Sequence, residues 1–374
     1  MSGASSRAEG GRCLKSWEWD PTLYVGSAPY YLAGRLPYSP LLAQTLTDAL
    51  GLDGSGRLLD VGTGPGIIPC ELSPIFEEVV GIDADQDMVS EAEQESRRRG
   101  CTNARWRHLR AEQLPAGLGT FRLVTFAQSF HWMDREHVAS AVRGMLEPAR
   151  GSLALLSAWT VSGVETDQPL PHPSPPNEAI TQLVDRYLGS IRRAGQGVLP
   201  EGTPSDEEEV LMQAGFARPR TLTAADDRVI TRSVDDVIAS VYAVSRSAPH
   251  LFGDQLDRFE GDLRALLSKA SPDGLFSEQT AENKIRIFDT DRSCHVTDSL
   301  VAPSDRTVLR AQRIATTALE SYNTKSPGLS ARAPRAVRAS PNAQRSVVCR
   351  FTASTPSSIL SFAVSAAPLT EPPA

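Results

Sequence analysis

Between Arg57 and Ala158 short apolar runs alternate with stretches whose apolar residues recur at helical spacing, which predicts a parallel sheet covered on both faces. The predicted strands are Leu58–Val61, Val79–Asp83, Ala104–Leu109, Leu123–Gln128 and Ser152–Ala158. Helices are predicted over Pro65–Phe76, Asp85–Arg99 and Arg135–Leu146. Asp134 is placed to cap the last of these, and Gly100 follows Arg97-Arg98-Arg99 at a helix end where positive charge suits the dipole. Upstream, Leu41, Leu42, Leu46, Ala49 and Leu50 mark another helix that stops at Gly51. Downstream of Trp159 a proline-rich connector breaks the pattern, and helical periodicity returns over Asn177–Arg193, Asp206–Ala214, Val234–Val244 and Gln255–Leu267. Thr221–Thr231 reads as a sixth strand and Lys284–Phe288 as a seventh.

This patterning divides the chain into a flexible leader (1–20), an N-terminal segment and helix (21–56), a ligand-binding core (57–160), a helical insertion or lid with closing strands (161–290), and a tail (291–374). The tail is rich in Ser, Ala, Pro, Thr and Arg and short of large apolar residues, so disorder is expected there. In the whole chain 38 basic residues stand against 45 acidic ones, which gives no overall cationic field for nucleic acid. The five cysteines, Cys13, Cys70, Cys101, Cys294 and Cys349, lie far apart without metal-ligand spacing, so no metal is expected. The first residues lack the apolar run of a signal peptide, and no stretch approaches a membrane span. A cytoplasmic protein with no membrane partner is the expectation.

The chemistry concentrates at Leu58-Leu59-Asp60-Val61-Gly62-Thr63-Gly64-Pro65-Gly66, an apolar strand running into a glycine-rich turn. Glycines let a backbone approach a ligand closely and tolerate unusual dihedrals. The dinucleotide fingerprint G-x-G-x-x-G needs a third glycine where this chain has Ile67. Here the spacing is G-x-G-x-G, and Val79-Val80-Gly81-Ile82-Asp83 follows, ending a buried strand on an acid suited to a ribose diol.

These residues resemble the class I S-adenosylmethionine-dependent methyltransferases, in particular the small-molecule (type 11-like) group with a D-V-G-x-G-x-G motif. Ala111-Glu112-Gln113-Leu114-Pro115 and the run Phe121 to Trp132, ending A-x-x-F-H-W, match further motifs in order. Tyr24 to Tyr38 is similar to that group's Y-x-x-G-R-x-P-Y segment. The resemblance covers the chain to about Asp291. It implies an α/β, doubly wound, Rossmann-like seven-stranded sheet closed by an antiparallel strand pair, with a helical insertion after the fifth strand.

It also implies S-adenosyl-L-methionine as cofactor. Gly62, Thr63, Gly64 and Gly66 would wrap its amino-acid end, with Asp60 and the carbonyl of Gln128 on the ammonium side. Asp83 would accept from the ribose hydroxyls. Ala84 and Met88 would border the adenine, and Ala111 and Glu112 would meet its edge, although Met88 also fits ordinary helix core. His131 would deprotonate or orient an acceptor, or else pack the turn before Asp134. Tyr30, Tyr31 and Arg35 would close over the cofactor or touch the acceptor, or else pack, and Trp132 would face the acceptor beside His131. Separately from the resemblance, His250 in the apolar insertion loop Pro249–Phe252 is a candidate acceptor contact or a structural histidine. The expected acceptor is a small molecule methylated on oxygen or nitrogen. The alternatives are an RNA or protein methyltransferase and a catalytically silent cofactor-binding protein. The acidic balance and the absence of an N-P-P-Y tetrapeptide count against methylation of base amino groups.

Overall fold

A computed structural model of the chain describes residues 20–189 and 206–290, with two short segments, 346–350 and 361–365. The leader to residue 19, the predicted helix end at 190–193 and the remainder of the tail lie outside the described residues. The chain divides into two units, residues 1–295 and 296–374. In the second, Ser346–Arg350 and Ser361–Ser365 pair as an antiparallel ladder.

In the first unit the strands are β1 (Arg57–Val61), β2 (Glu78–Asp83), β3 (Ala104–His108), β4 (Leu123–Ala127), β5 (Ser152–Ser157), β6 (Arg220–Ala224), β7 (Val229–Ser233), β8 (Leu275–Gln279) and β9 (Asn283–Asp289). The helices are α1 (Ala28–Gly34), α2 (Leu42–Leu50), α3 (Ile67–Leu72), α4 (Gln86–Arg99), α5 (Arg135–Met145), α6 (Asn177–Leu188), α7 (Glu207–Gln213), α8 (Val234–Tyr242) and α9 (Leu256–Ala270). Seven strands form one sheet in the order β3-β2-β1-β4-β5-β9-β6, the doubly wound arrangement expected. The first five are parallel, while β9 runs antiparallel to both β5 and β6.

Period-2 alternation splits the core between the two sheet faces. Leu59, Val61, Val80 and Ile82 join Val138 and Val142 of α5, whereas Leu58 and Val79 join Leu42 and Leu46 of α2 and Ile68 and Leu72 of α3. The insertion has its own core, in which Phe252 stacks on Phe259 at 4.0 Å beside Tyr242 and Phe276.

Helix ends follow local chemistry. Asp85 caps α4 by accepting from Asp87 and Met88 N–H, and Gly100 ends it with φ of 69°. Asp134 caps α5. The predicted helix Pro65–Phe76 is shorter: α3 begins after Gly66 and gives way to a 3₁₀ turn at Ser73–Ile75. Pro74 has no N–H for the Cys70 carbonyl, which accepts from the Ser73 hydroxyl at 3.1 Å instead.

The single predicted strand Thr221–Thr231 is two strands in different sheets. Asp226 breaks it, its carboxylate accepting from the Arg228 N–H and guanidinium in a tight turn. Before the turn β6 closes the main sheet, and after it β7 pairs with β8, a strand not predicted. The helix α1 was likewise unanticipated.

Candidate active site

The chain leaves β1 for β2 and β3 on one side and returns to β4 and β5 on the other. The loops after β1 and β4 part at this switch point, and a crevice opens at the carboxyl ends of the strands. Gly62 and Thr63 N–H both donate to the Ile82 carbonyl at 2.9 Å, folding the turn back onto β2.

The three turn glycines all have positive φ, but their surroundings differ. A Cβ on Gly66 would lie 2.5 Å from Trp106 Cη2, and one on Gly62 2.6 Å from Ser129 Cβ. A Cβ on Gly64 would meet nothing within 4 Å. Gly62 and Gly64 line the crevice; Gly66 does not, so packing against Trp106 explains its glycine.

Asp83 ends β2 and lines the same crevice. One carboxylate oxygen accepts from Gly64 N–H at 2.7 Å and the other from Asp85 N–H at 2.9 Å. A carboxylate has about four acceptor positions, so roughly half its capacity is left for a ligand. Burial lifts its pKa to about 6, against the lowering effect of those donors. Ala84 and the buried Met88 continue this wall.

Leu109, Ala111 and Glu112 add to the lining. Glu112 also fastens the turn after β3 to the start of α5, accepting from Asp134 N–H at 3.1 Å. After β4, Gln128 lines the crevice with φ of 59°, a strained value for a residue with a Cβ. Its backbone N–H donates to Leu156 O at 3.2 Å, and its side-chain amide donates to the Ala158 carbonyl. Ser129 Oγ donates to Val61 O at 2.5 Å, so the ends of β1, β4 and β5 are tied together around the opening.

Three aromatic rings complete the lining, those of Tyr24, Tyr31 and Trp132. Tyr24 meets Trp132 edge to face at 5.7 Å and Tyr31 at 6.4 Å. Burial raises the Tyr24 pKa, so its phenol stays protonated.

Seven of the residues singled out from sequence are not in the lining: Asp60, Thr63, Gly66, His131, Tyr30, Arg35 and His250. Asp60 is 1% exposed and accepts from Thr125 Oγ1 at 2.6 Å, and burial pushes its pKa up to about 6. The Thr63 hydroxyl lies near Asp60 and, like that of Thr125, opposes the effect of burial on it. His131 packs on Trp132 at 4.8 Å, and burial lowers its pKa, so the ring is neutral at pH 7. Tyr30 turns to Tyr242 in the insertion core at 5.0 Å. Arg35 lies over the Tyr31 ring at 4.7 Å and donates to the Ala243 carbonyl at 2.8 Å. His250 Nδ1 sits 3.0 Å from the Val25 carbonyl oxygen.

Sequence reasoning assigned no site role to Tyr24, Asp85, Leu109, Ser129 or Met133, all of which line the crevice. Tyr24 and Ser129 do fall inside segments that the motifs marked. Leu109 and Met133 carry no such signal.

Residues 58–149 match the family model of a methyltransferase domain. The uncharacterised methyltransferase YcgJ of Bacillus subtilis strain 168 is 31% identical over 94 residues, which are 25% of this chain and 35% of that protein. The chain thus matches about a third of that curated relative's length. Among solved structures, YcgJ from Bacillus subtilis is 18% identical with a TM-score of 0.39, covering 67% of this chain and 97% of that one. A methyltransferase from Geobacter sulfurreducens, in complex with S-adenosyl-L-homocysteine, is 13% identical with a TM-score of 0.40, covering 73% and 99%. Among the described residues no helix is long and apolar enough to cross a membrane.

Proposed function

We propose that this chain is an S-adenosylmethionine-dependent methyltransferase acting on oxygen or nitrogen of a small molecule. The observation that carries the reading is Asp83, an acid at the end of β2 with acceptor capacity to spare, beside a glycine whose Cβ position is open. Asp83 would hold the ribose diol, Met88 and Leu109 would flank the adenine, and the turn Gly62–Gly64 would receive the amino-acid end.

Bound there, the cofactor supplies an activated methyl group on a neutral leaving sulfur. The chain's own part is alignment and exclusion of water by Trp132, Met133 and the tyrosines. His131 lies outside the lining, and no Lys or His lines the crevice among the described residues. Methyl transfer of this kind does not require a positioned base. An acid-only charged lining of Asp83, Asp85 and Glu112 disfavours a polyanionic acceptor such as RNA.

Calorimetric titration with S-adenosylmethionine and with NADH tests the cofactor, and binding of the first alone is expected. Labelled methyl transfer to a small-molecule fraction of cell extract tests the acceptor. Label confined to protein or RNA would overturn the small-molecule reading, and NADH binding would overturn the cofactor.

A further inference from the structure

Of the three rings in the crevice, one already faces a cation: the Arg35 guanidinium lies 4.7 Å from the Tyr31 centroid. Tyr24 and Trp132 have no cation against them among the described residues, and they meet each other edge to face at 5.7 Å and 76°. An edge-to-face pair presents aromatic face as well as edge, and ring faces attract cations. The charged residues of the lining, Asp83, Asp85 and Glu112, are all acids, while Tyr24 lies in the opposing fields of Arg35 and, more weakly, the Asp83 carboxylate.

We propose that Tyr24 and Trp132 hold the positively charged sulfur of S-adenosylmethionine and give the site a preference for the sulfonium over the uncharged thioether product. The proposal rests on the cofactor reading above and assigns Tyr24 a role that reading does not need. A protonated amine acceptor would suit the same rings. It must lose its proton before it can be methylated, however, and rings that favour its cation would oppose that loss. The sulfonium carries its charge permanently until the methyl leaves, so the attraction lasts through binding and disappears in the product. Product release is thereby assisted.

The test is the ratio of dissociation constants for S-adenosyl-L-homocysteine and S-adenosyl-L-methionine, measured by calorimetry without acceptor. Tyr24→Leu and Trp132→Leu keep an apolar side chain and remove a ring, and each should lower that ratio about threefold to tenfold relative to wild type. Tyr24→Phe keeps the ring and should leave the ratio unchanged. If a leucine variant does not fold, Trp132→Phe reads the same ratio with a weaker ring face, and a lower ratio supports the proposal. Leucine or phenylalanine exchanges at Trp132 that weaken both ligands equally would show the rings to be packing only, with the cofactor reading intact. Wild-type protein that binds neither ligand would overturn both readings.

Discussion

At the residue scale the crevice depends on a carboxylate that costs the fold stability. Asp83 ionises near 6 when folded against about 4 when free, so between those values the folded state holds the extra proton. Its contribution to stability therefore falls as pH rises through that window. Asp83→Asn keeps the shape and removes the titration, and its one amide oxygen can accept from only one of the Gly64 and Asp85 N–H groups, so it should flatten the fall in stability between about pH 4 and about pH 6. The same change should weaken S-adenosylmethionine binding by about tenfold to a hundredfold, the worth of hydrogen bonds to a charged group. Melting against pH and calorimetry on one variant check both outcomes, and a lower melting temperature with unchanged binding would make Asp83 a structural residue instead. A cationic ligand favours the ionised acid, so the melting shift given by saturating S-adenosylmethionine should be larger at about pH 7.5 than at about pH 5. Gly64 and Gly66 also separate: alanine strains the backbone at both by about 1–2 kcal/mol, but at Gly66 it also collides with Trp106. Urea unfolding should find Gly66→Ala the more destabilising by about 1–3 kcal/mol. The sequence showed three equivalent glycines and could not tell them apart, because the difference lies in what packs across from each. For the same reason Asp83 was legible from its place at a strand end, whereas the inward turn of Asp60 and the packing of His131 beside the crevice and not in its lining were not.

At the element scale a buried ion pair inside the insertion also reaches the N-terminal segment. Arg232 on β7 and Glu278 on β8 are 4% and 3% exposed and 2.9 Å apart. Glu278 also accepts from Gly163 N–H at 2.7 Å, and Arg232 donates to the Gly34 carbonyl at 3.0 Å, where α1 ends. Cationic donors suit a helix carboxyl end, and α1 is the helix that carries Tyr31 to the crevice. Arg232→Ala leaves Glu278 buried without its cation and the α1 carbonyls without a donor. It should cost about 3–5 kcal/mol in urea unfolding, and removing both partners should cost less than the sum of the single losses. Additive losses would mean that the two side chains act separately. None of this was readable from the chain. Four of the five parallel strands announced themselves as local apolar runs buried on both faces, as in Leu58–Val61, whereas β3 is polar and largely exposed. The β7–β8 strand pair joins residues 46 positions apart, such as Arg232 and Glu278, and α1 has only seven residues, fixed by packing on α8, where a Cβ on Gly34 would come within 2.4 Å of the Ala239 carbonyl oxygen. Partners so distant in sequence leave no periodic trace.

At the scale of the whole molecule, the elements needed for the crevice are complete by residue 290. All seven strands of the main sheet, both of its faces and the separate core of the insertion are built before that point. The antiparallel strand β9, inserted between β5 and β6, is the last of them, and it ends at Asp289. Residues 291–374 hold ten basic and five acidic side chains, so residues 1–290 alone carry a net charge of −12. Removing Val296–Ala374 should therefore leave the cooperative unfolding transition and the affinity for S-adenosylmethionine unchanged while making the protein more acidic. Scanning calorimetry with and without the cofactor, on the full chain and on residues 1–295, checks this directly. A large loss of melting temperature in the shortened chain would mean that the second unit helps hold the sheet. An unchanged melting temperature with weakened binding would equally overturn the expectation that residues 1–295 suffice for the cofactor.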